Sequence, residues 1–188
     1  MTEEADFIKE LLSIKHREKA FVKLLDLYQE RLYWHIRKLV ITHENADDVL
    51  QNTFLRIYSG LATFKQKSSL HTWMYRIAYN ESLRFLDQQK KKQYCSLTDI
   101  SATYTDNLIQ DSFFDGNEIQ KKLHRSILEL PEKQRHIFQM KYFDHLKFNE
   151  IATILKAKEG TIKSSYYSAT KFIEKRMLSD ELFKELQV

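Results

Sequence analysis

Residues that interrupt helices are scarce in this chain of 188 residues. It contains only three glycines, Gly60, Gly116 and Gly160, and one proline, Pro131. Glycine and proline are the residues that most disfavour a helix interior, so long stretches can be helical without a break. Apolar residues in those stretches recur at steps of three and four, which is the helical period. The sequence therefore predicts an all-α protein.

Cysteine and long apolar runs are equally scarce. The single cysteine, Cys95, cannot form an internal disulfide, and no stretch resembles a signal peptide or a membrane span of about 20 residues. We therefore expect a cytoplasmic protein without membrane insertion. The seven histidines are scattered, and no P-loop or nucleophile–base motif is present. We expect no catalytic residue, no metal and no cofactor, so the protein is not predicted to be an enzyme.

Charge divides the chain into three parts. Residues 1–92 carry 16 Lys/Arg and 12 Asp/Glu, residues 93–118 carry none and 5, and residues 119–188 carry 14 and 9. The middle part also lacks a helical period and is rich in Ser, Thr, Asp and Asn. These patterns predict two small helical domains, 1–92 and 119–188, joined by a flexible acidic linker, 93–118. Two basic domains suit a polyanion, although basicity of this size is also typical of solubility.

Helical periodicity places the individual segments. In the N-terminal domain it predicts helices at about 6–12, 17–41, 42–60 and 69–91. In the C-terminal domain it predicts helices at about 119–130, 132–143 and 147–155, one from about 159, and a final turn at 182–186. We expect Gly60 to end its helix, and Ser68 and Ser69 to cap the next one.

The segment FNEIATILKAKEGTIKSSYYSATK has the pattern of a helix-turn-helix. At 100° per residue, its second helix places four residues on one inward arc, and these are Ile162, Tyr166, Ala169 and Ile173. The opposite side carries hydroxyl groups and lysines suited to DNA base edges, while Lys156 and Lys158 in the turn could meet phosphates. The alternative is an ordinary amphipathic helix with a polar outer face.

Two further segments of the N-terminal domain carry side chains suited to binding, one aromatic and basic and one acidic. The segment SSLHTWMYRIAYN combines aromatic and basic residues, which suit an unpaired nucleic-acid strand because bases stack on rings. Core packing is the alternative, and for Trp73 alone it is the favoured one. The preceding helix carries Asp47 and Asp48 in its first turn and a polar outer face, for which simple solvation is the default explanation.

Four motifs together resemble bacterial RNA polymerase sigma factors. ADDVLQNTFLRIY, SSLHTWMYRIAYN, LPEKQRHIFQMKYF and EIATILKAKEGTIKS are similar to the family's second and fourth conserved regions, in the family's order. The resemblance covers about residues 17–92 and 119–178. Its compact form, with two helical domains and a linker, is that of the extracytoplasmic-function (ECF) group. It implies a factor that binds core RNA polymerase, directs it to specific promoters and assists promoter opening.

The resemblance also implies roles for individual residues. Binding to the clamp helices of the polymerase largest subunit falls to Asp47, Asp48, Gln51 and Phe54. Capture of the unpaired minus-ten strand falls to Lys65, Lys67, Ser69, His71, Thr72, Trp73, Arg76 and Asn80. Reading of the minus-thirty-five element by the helix-turn-helix falls to Lys158, Thr161, Lys163, Ser164, Tyr167, Ser168 and Lys171. The implied partners are core RNA polymerase, through its clamp helices and its flap, promoter DNA, and an inhibitory anti-sigma factor.

The sequence departs from the family pattern at several of these positions. Lys156 stands where the turn often has glycine, and Ser165 and Ser168 stand where arginines are frequent. Because arginine is the commonest bidentate reader of guanine, we expect weaker direct guanine readout and more dependence on DNA shape.

The competing hypothesis is a stand-alone helix-turn-helix regulator whose N-terminal domain senses a ligand or dimerises. It predicts no requirement for polymerase.

Overall fold

The computed structural model describes residues 3–40, 42–93 and 118–178. Every regular element within these ranges is a helix, so the predicted all-α fold is confirmed. The chain divides into two compact units, Met1–Ser96 and Leu97–Val188, and each is considered by itself. The predicted turn at 182–186 lies outside the described residues, and so does the predicted linker apart from its end residues, Gln93 and Glu118.

Four α-helices form the described part of the N-terminal unit, and they lie close to the predicted segments. They are α1 (Glu3–Leu12), α2 (Arg17–Val40), α3 (His43–Gly60) and α4 (Leu70–Gln93), with a short 3-10 turn at Leu61–Thr63. α2, α3 and α4 pack against one another, and α1 packs on α2. The apolar side chains that meet between the three long helices are fully buried, among them Leu24, Leu32, Ile36, Val49, Ile57, Met74 and Ala78. This core holds the outer faces of α3 and α4 in fixed positions.

Gly60 ends α3, but not in the left-handed conformation that commonly follows a helix. Its φ is −77° and its ψ is −17°, and the chain continues directly into the 3-10 turn. A Cβ atom on Gly60 would lie 3.1 Å from Cζ2 of Trp73. Phe64 covers the same indole, with ring centroids 4.8 Å apart. The expectation that Gly60 ends its helix is therefore confirmed, and its missing side chain leaves room for the close approach of the Trp73 ring.

Four helices also form the described part of the C-terminal unit. They are α5 (Glu118–Leu128), α6 (Glu132–Tyr142), α7 (Phe148–Leu155) and α8 (Glu159–Leu178). α8 contacts each of the other three. One buried apolar cluster comprises Ile127, Leu130, Phe138, Ala169 and Ile173. Long basic side chains bind the last carbonyl groups of two helices. Lys122 Nζ donates to the Met177 carbonyl at 2.9 Å, and Arg135 Nη1 donates to the Leu128 carbonyl at 3.0 Å.

The turn of the helix-turn-helix is built on a lysine in a left-handed conformation. Lys156 has a φ of 52° and a ψ of 45°, and Ala157 N donates to the Ala152 carbonyl at 3.0 Å to complete the end of α7. A residue with a Cβ atom adopts this conformation at a cost of about 1–2 kcal/mol, whereas glycine does not. The turn therefore forms in spite of Lys156, and its backbone strain is located at this residue.

Candidate nucleic-acid interface

The outer face of α3 carries three of the four residues predicted to bind polymerase. Asp47, Asp48 and Gln51 are exposed. The helix begins at a cap in which the Thr42 hydroxyl accepts from the Asn45 backbone N–H at 3.3 Å. Asn52 Nδ2 donates to the backbone carbonyl of Asp48 at 2.9 Å, and the Asp48 side chain is exposed. This face is therefore anionic at its N-terminal end.

Phe54, the fourth residue predicted for this face, lies inside the unit. It is 9% exposed, and its ring meets Phe21 edge to face at 6.3 Å between centroids. Its neighbour Leu55 is 69% exposed and follows Gln51 by one helical turn. The role of Phe54 therefore stays a prediction, and Leu55 is the more accessible apolar side chain, because one residue of rotation moves a side chain by 100° around a helix. The spacing Asp48, Gln51, Leu55 is the signal that could have identified Leu55.

A chain of hydrogen-bonding groups leads to Asp47. The hydroxyl of Tyr33, on α2, lies 2.6 Å from His43 Nδ1, and His43 Nε2 lies 3.4 Å from Asp47 Oδ2. With a proton on Nε2, the imidazole accepts from the tyrosine and donates to the carboxylate. Trp34 meets the Tyr33 ring edge to face at 5.2 Å and is 44% exposed. The anionic end of α3 therefore continues into an aromatic surface on α2.

The start of α4 is fixed by hydroxyl groups that were predicted to contact DNA. Ser69 Oγ accepts from the Thr72 backbone N–H at 3.1 Å and lies 2.8 Å from Thr72 Oγ1. Ser69 is exposed, whereas Thr72 is 3% exposed. The predicted contact of Thr72 with the minus-ten strand stays a prediction, and the free chain exposes little of this side chain. Ser69 and Thr72 together form the N-terminal cap of the helix.

Two aromatic side chains of α4 are partly covered by neighbouring rings. His71 lies between Tyr28 and Tyr75, with ring centroids at 5.9 Å and 4.5 Å. Burial raises the pKa of Tyr28, and the charge of Arg31 opposes that shift. Trp73 packs against Phe64 and Gly60 and remains half-buried. Both His71 and Trp73 are therefore partly accessible while contributing to the packing.

The remaining predicted minus-ten residues are accessible to different degrees. Lys65, Lys67 and Asn80 are exposed, and Arg76 is half-buried one turn before Asn80. Asn80 is followed by Glu81, which faces inward and is 8% exposed. Glu81 binds Arg56 of α3 at 2.6 Å and Arg84 of α4 at 3.1 Å, which ties the two helices together. This bridge fixes the rotation of α4 at the point where Asn80 faces solvent.

All seven residues predicted to read the minus-thirty-five element are exposed. Lys158 precedes α8, and the others follow along its outer side, namely Thr161, Lys163, Ser164, Tyr167, Ser168 and Lys171. The inward arc is also as the spacing predicts, because Ile162, Ala169 and Ile173 are buried and Tyr166 is half-buried. Tyr167 is 58% exposed and is steadied by the rings of Phe148 and Tyr166, at 6.3 Å and 5.8 Å.

The ammonium group of Lys163 is held by two neighbours. Its Nζ lies 2.7 Å from Glu159 Oε1 and 5.9 Å from the ring centroid of Phe148. The hydrogen bond to Glu159 and the charge of that carboxylate raise the pKa of Lys163. Glu159 was not among the predicted site residues. The signal for it is the i, i+4 spacing to Lys163 at the start of the recognition helix.

An open cleft of about 610 Å³ lies beside this surface in the C-terminal unit. It is lined by Lys141, Tyr142, Phe143, His145 and Tyr166. Tyr142 is 48% exposed, and its ring stacks on Phe138 at 5.2 Å. Three of the five lining side chains are thus aromatic, and Tyr142 is exposed among them.

Metal-binding and membrane-spanning features are not found in the part of the chain that the structure describes. Among residues 3–40, 42–93 and 118–178, no three His, Cys, Asp or Glu side chains gather as metal ligands would. No helix in the same ranges combines the length and the apolar character that crossing a membrane requires.

Comparison with protein families gives one match in each unit. Residues 24–92 match the family model "Sigma-70 region 2", and residues 120–173 match "Sigma-70, region 4". Together the two matches cover more than half of the chain. They include the outer faces of α3, α4 and α8.

Curated relatives and solved structures agree with these matches. The chain is 26% identical over 171 residues to the ECF RNA polymerase sigma factor SigW of Bacillus subtilis, covering 87% of this chain and 91% of that one. It is 27% identical over 173 residues to the ECF RNA polymerase sigma-E factor of Escherichia coli, covering 87% and 89%. The sigma factor RpoE of Bartonella quintana, solved in complex with the anti-sigma factor NepR, has a TM-score of 0.69 at 19% identity, over 87% of this chain and 99% of that one. CnrH, solved in complex with the cytosolic domain of CnrY, has a TM-score of 0.66 at 15% identity, over 95% and 99%. The chain belongs to the sigma-70 family of RNA polymerase sigma factors, in its ECF group.

Proposed function

We propose that this sigma factor docks on core RNA polymerase through α3, captures the minus-ten strand through α4, and reads the minus-thirty-five element through α8. The observation that carries the proposal is the arrangement of the exposed side chains. Three separate outer faces, one anionic, one aromatic and basic, and one rich in hydroxyl groups and lysines, coincide with the predicted contact segments. The corresponding domains are 1–92 and 119–188, with 93–118 as the linker.

Docking is assigned to the face of Asp47, Asp48, Gln51 and Leu55. Its carboxylates attract a basic partner surface, and the exposed leucine supplies apolar area at its centre. Leu55 replaces Phe54 in this assignment, because Phe54 is committed to the core. The flap of the polymerase is assigned to the C-terminal unit, whose aromatic cleft at Tyr142 offers a second accessible apolar surface.

Strand capture is assigned to the exposed part of the α4 region. Lys65 and Lys67 can follow the phosphates of an unpaired strand, and Arg76 and Asn80 can reach its bases. Trp73 and His71 are half-buried and contribute their accessible ring atoms to stacking. Flipping a base costs a few kcal/mol, which stacking and phosphate contacts must jointly offset. Thr72 contributes by fixing the helix start through its hydrogen bonds with Ser69.

The chain supplies binding and no catalysis in this proposal. Sigma factors are initiation factors, and the polymerase carries out RNA synthesis. Because its partner polymerase works in the cytoplasm, we assign the chain to that compartment. We also infer an anti-sigma partner. Two structural neighbours support this inference, because RpoE was solved with the anti-sigma factor NepR and CnrH was solved with the cytosolic domain of CnrY. Such a partner would act by covering the face around Asp48 or the face around Lys163.

Binding to core polymerase separates this proposal from a stand-alone regulator. Purified full-length chain is mixed with core polymerase lacking any sigma factor and analysed by size-exclusion chromatography. We expect a complex with one chain per polymerase, and transcription from a cognate promoter only when both are present. Asp48→Lys should weaken the complex, because it places a cation on an anionic docking face. Sequence-specific DNA binding by the chain alone, without any polymerase complex, would favour the regulator.

A further inference from the structure

The first turn of α8 presents an acceptor and a donor side by side. Glu159 Oε1 and Lys163 Nζ are 2.7 Å apart, and their side chains are 45% and 49% exposed. The Phe148 ring, on α7, lies 5.9 Å below the ammonium group and limits its movement. The pair therefore occupies a defined position at the N-terminal end of the recognition helix α8.

The neighbouring hydroxyl group strengthens the acceptor character of this turn. Ser164 Oγ donates its proton to the Gly160 carbonyl at 3.0 Å. Its lone pairs remain available, so Ser164 faces outward as an acceptor. Toward a ligand, the turn thus offers the Glu159 carboxylate and the Ser164 oxygen as acceptors beside the Lys163 ammonium.

Base pairs in the major groove carry matching groups at a matching distance. In a C·G pair the cytosine amino group is a donor and guanine O6 is an acceptor, and these two atoms hydrogen-bond to each other at about 2.9 Å. We propose that Glu159 and Lys163 together read one C·G base pair of the minus-thirty-five element. Glu159 accepts from cytosine N4, and Lys163 donates to guanine O6 or N7. This inference rests on the proposed function of α8.

The other base pairs fit the two side chains less well. An A·T pair also has a donor beside an acceptor, but adenine N7 lies next to the amino group and repels a carboxylate. A reversed G·C pair places guanine O6 against Glu159 and the cytosine amino group against Lys163, so like groups face each other. Lysine makes only a point contact with guanine, in contrast to arginine. The carboxylate of Glu159 therefore supplies most of the discrimination.

The pair also separates specificity from affinity. Glu159 and Lys163 neutralise each other, so together they add little attraction for phosphates. Glu159 alone repels every DNA sequence, because its charge has the sign of the phosphates. Replacing Glu159 by glutamine should consequently raise affinity for unrelated DNA while it removes the preference for C·G. A merely structural ion pair would have the opposite effect, because its loss would weaken all sequences alike.

The test uses the full chain assembled with core polymerase and a promoter library in which each upstream base pair is varied in turn. We expect wild-type holoenzyme to prefer C·G at one position by about 5- to 150-fold, which corresponds to about 1–3 kcal/mol. Glu159→Gln should abolish that preference and shift it toward A·T, because glutamine reads adenine N6 and N7. Lys163→Met should reduce the preference for C·G at the same position. The double variant should lose no more of that preference than Glu159→Gln loses alone.

Glu118→Gln is the matched control. Glu118 is also a first-turn glutamate, at the start of α5, and binds Lys121 at 3.0 Å. Its replacement should leave base preference unchanged. An unchanged preference in Glu159→Gln, or an equal loss over all sequences, would overturn the inference while the role of α8 stands. A wild-type holoenzyme indifferent to every upstream base pair would overturn the role of α8 itself.

Discussion

Leu55→Ala should weaken binding to core polymerase without weakening the fold. Leu55 is 69% exposed and lies on the anionic face of α3. Full burial of a leucine contributes about 1.5–3 kcal/mol, so covering the exposed two thirds contributes about 1–2 kcal/mol. Its removal should raise the dissociation constant of the chain and core polymerase by about 5- to 30-fold.

Fluorescence anisotropy of labelled full-length chain, titrated with core polymerase at fixed salt, measures this change. Leu27→Ala is the matched control, because Leu27 is 60% exposed on α2 and lies outside the proposed face. It should bind core polymerase like the wild type. Thermal unfolding of the free proteins is recorded in parallel, and both variants should unfold within a degree or two of the wild type, consistent with substitutions at exposed sites.

Phe54→Ala, at the adjacent residue, should instead weaken the fold. Phe54 is 9% exposed, so its loss should leave a cavity and cost about 3–5 kcal/mol of unfolding free energy. If Leu55→Ala binds core polymerase with wild-type affinity, the proposed docking face is wrong. The same conclusion follows if Leu27→Ala loses as much affinity as Leu55→Ala.

Three further predictions concern the packing that supports these surfaces. Lys156→Gly should stabilise the C-terminal unit by about 1 kcal/mol, seen as a higher melting temperature, because glycine adopts the φ of 52° without strain; a lower melting temperature would contradict this. Gly60→Ala should shift tryptophan fluorescence, because its Cβ would lie 3.1 Å from Cζ2 of Trp73 and the ring would have to move; unaltered fluorescence would refute the close approach. Because burial raises the pKa of Tyr28 above 10.0, its contribution to stability is complete below pH 10.0 and is lost as the pH rises through the folded-state pKa, so Tyr28→Phe should reduce the loss of stability in strong alkali; an identical pH profile would count against it.

The helices and the helix-turn-helix were predictable from the sequence because each rests on local patterns. Apolar spacing fixed α2, α3 and α4 to within a few residues. The inward arc of α8 followed from 100° of rotation per residue, as the burial of Ile162, Ala169 and Ile173 confirms. The all-α fold needed no knowledge of contacts between helices.

Rotation of a helix against its neighbours was not predictable to one residue. Phe54 and Leu55 are both apolar, and only the packing of Phe21 on Phe54 shows which of them faces inward. Thr72 belongs to the segment predicted to capture the minus-ten strand, yet it is buried and its hydroxyl lies beside that of Ser69. The ion pair of Glu159 and Lys163 depends on side-chain conformations that spacing permits but does not require. Such features are decided by tertiary contacts.

Strand opening is the central claim, and reactivity of unpaired thymines to permanganate measures it most directly. Nothing among the assigned groups couples opening to nucleotide hydrolysis, so opening must draw on binding free energy. Duplex DNA resists melting by about 1.4 kcal/mol per base-pair step, which is more than α4 alone can offset over several steps. Minus-ten thymines should therefore become reactive only when the chain and core polymerase are both present, and Asn80→Ala should reduce this signal more than it reduces core binding. Reactivity with the chain alone, or its absence from a fully assembled complex on a cognate promoter, would contradict the account.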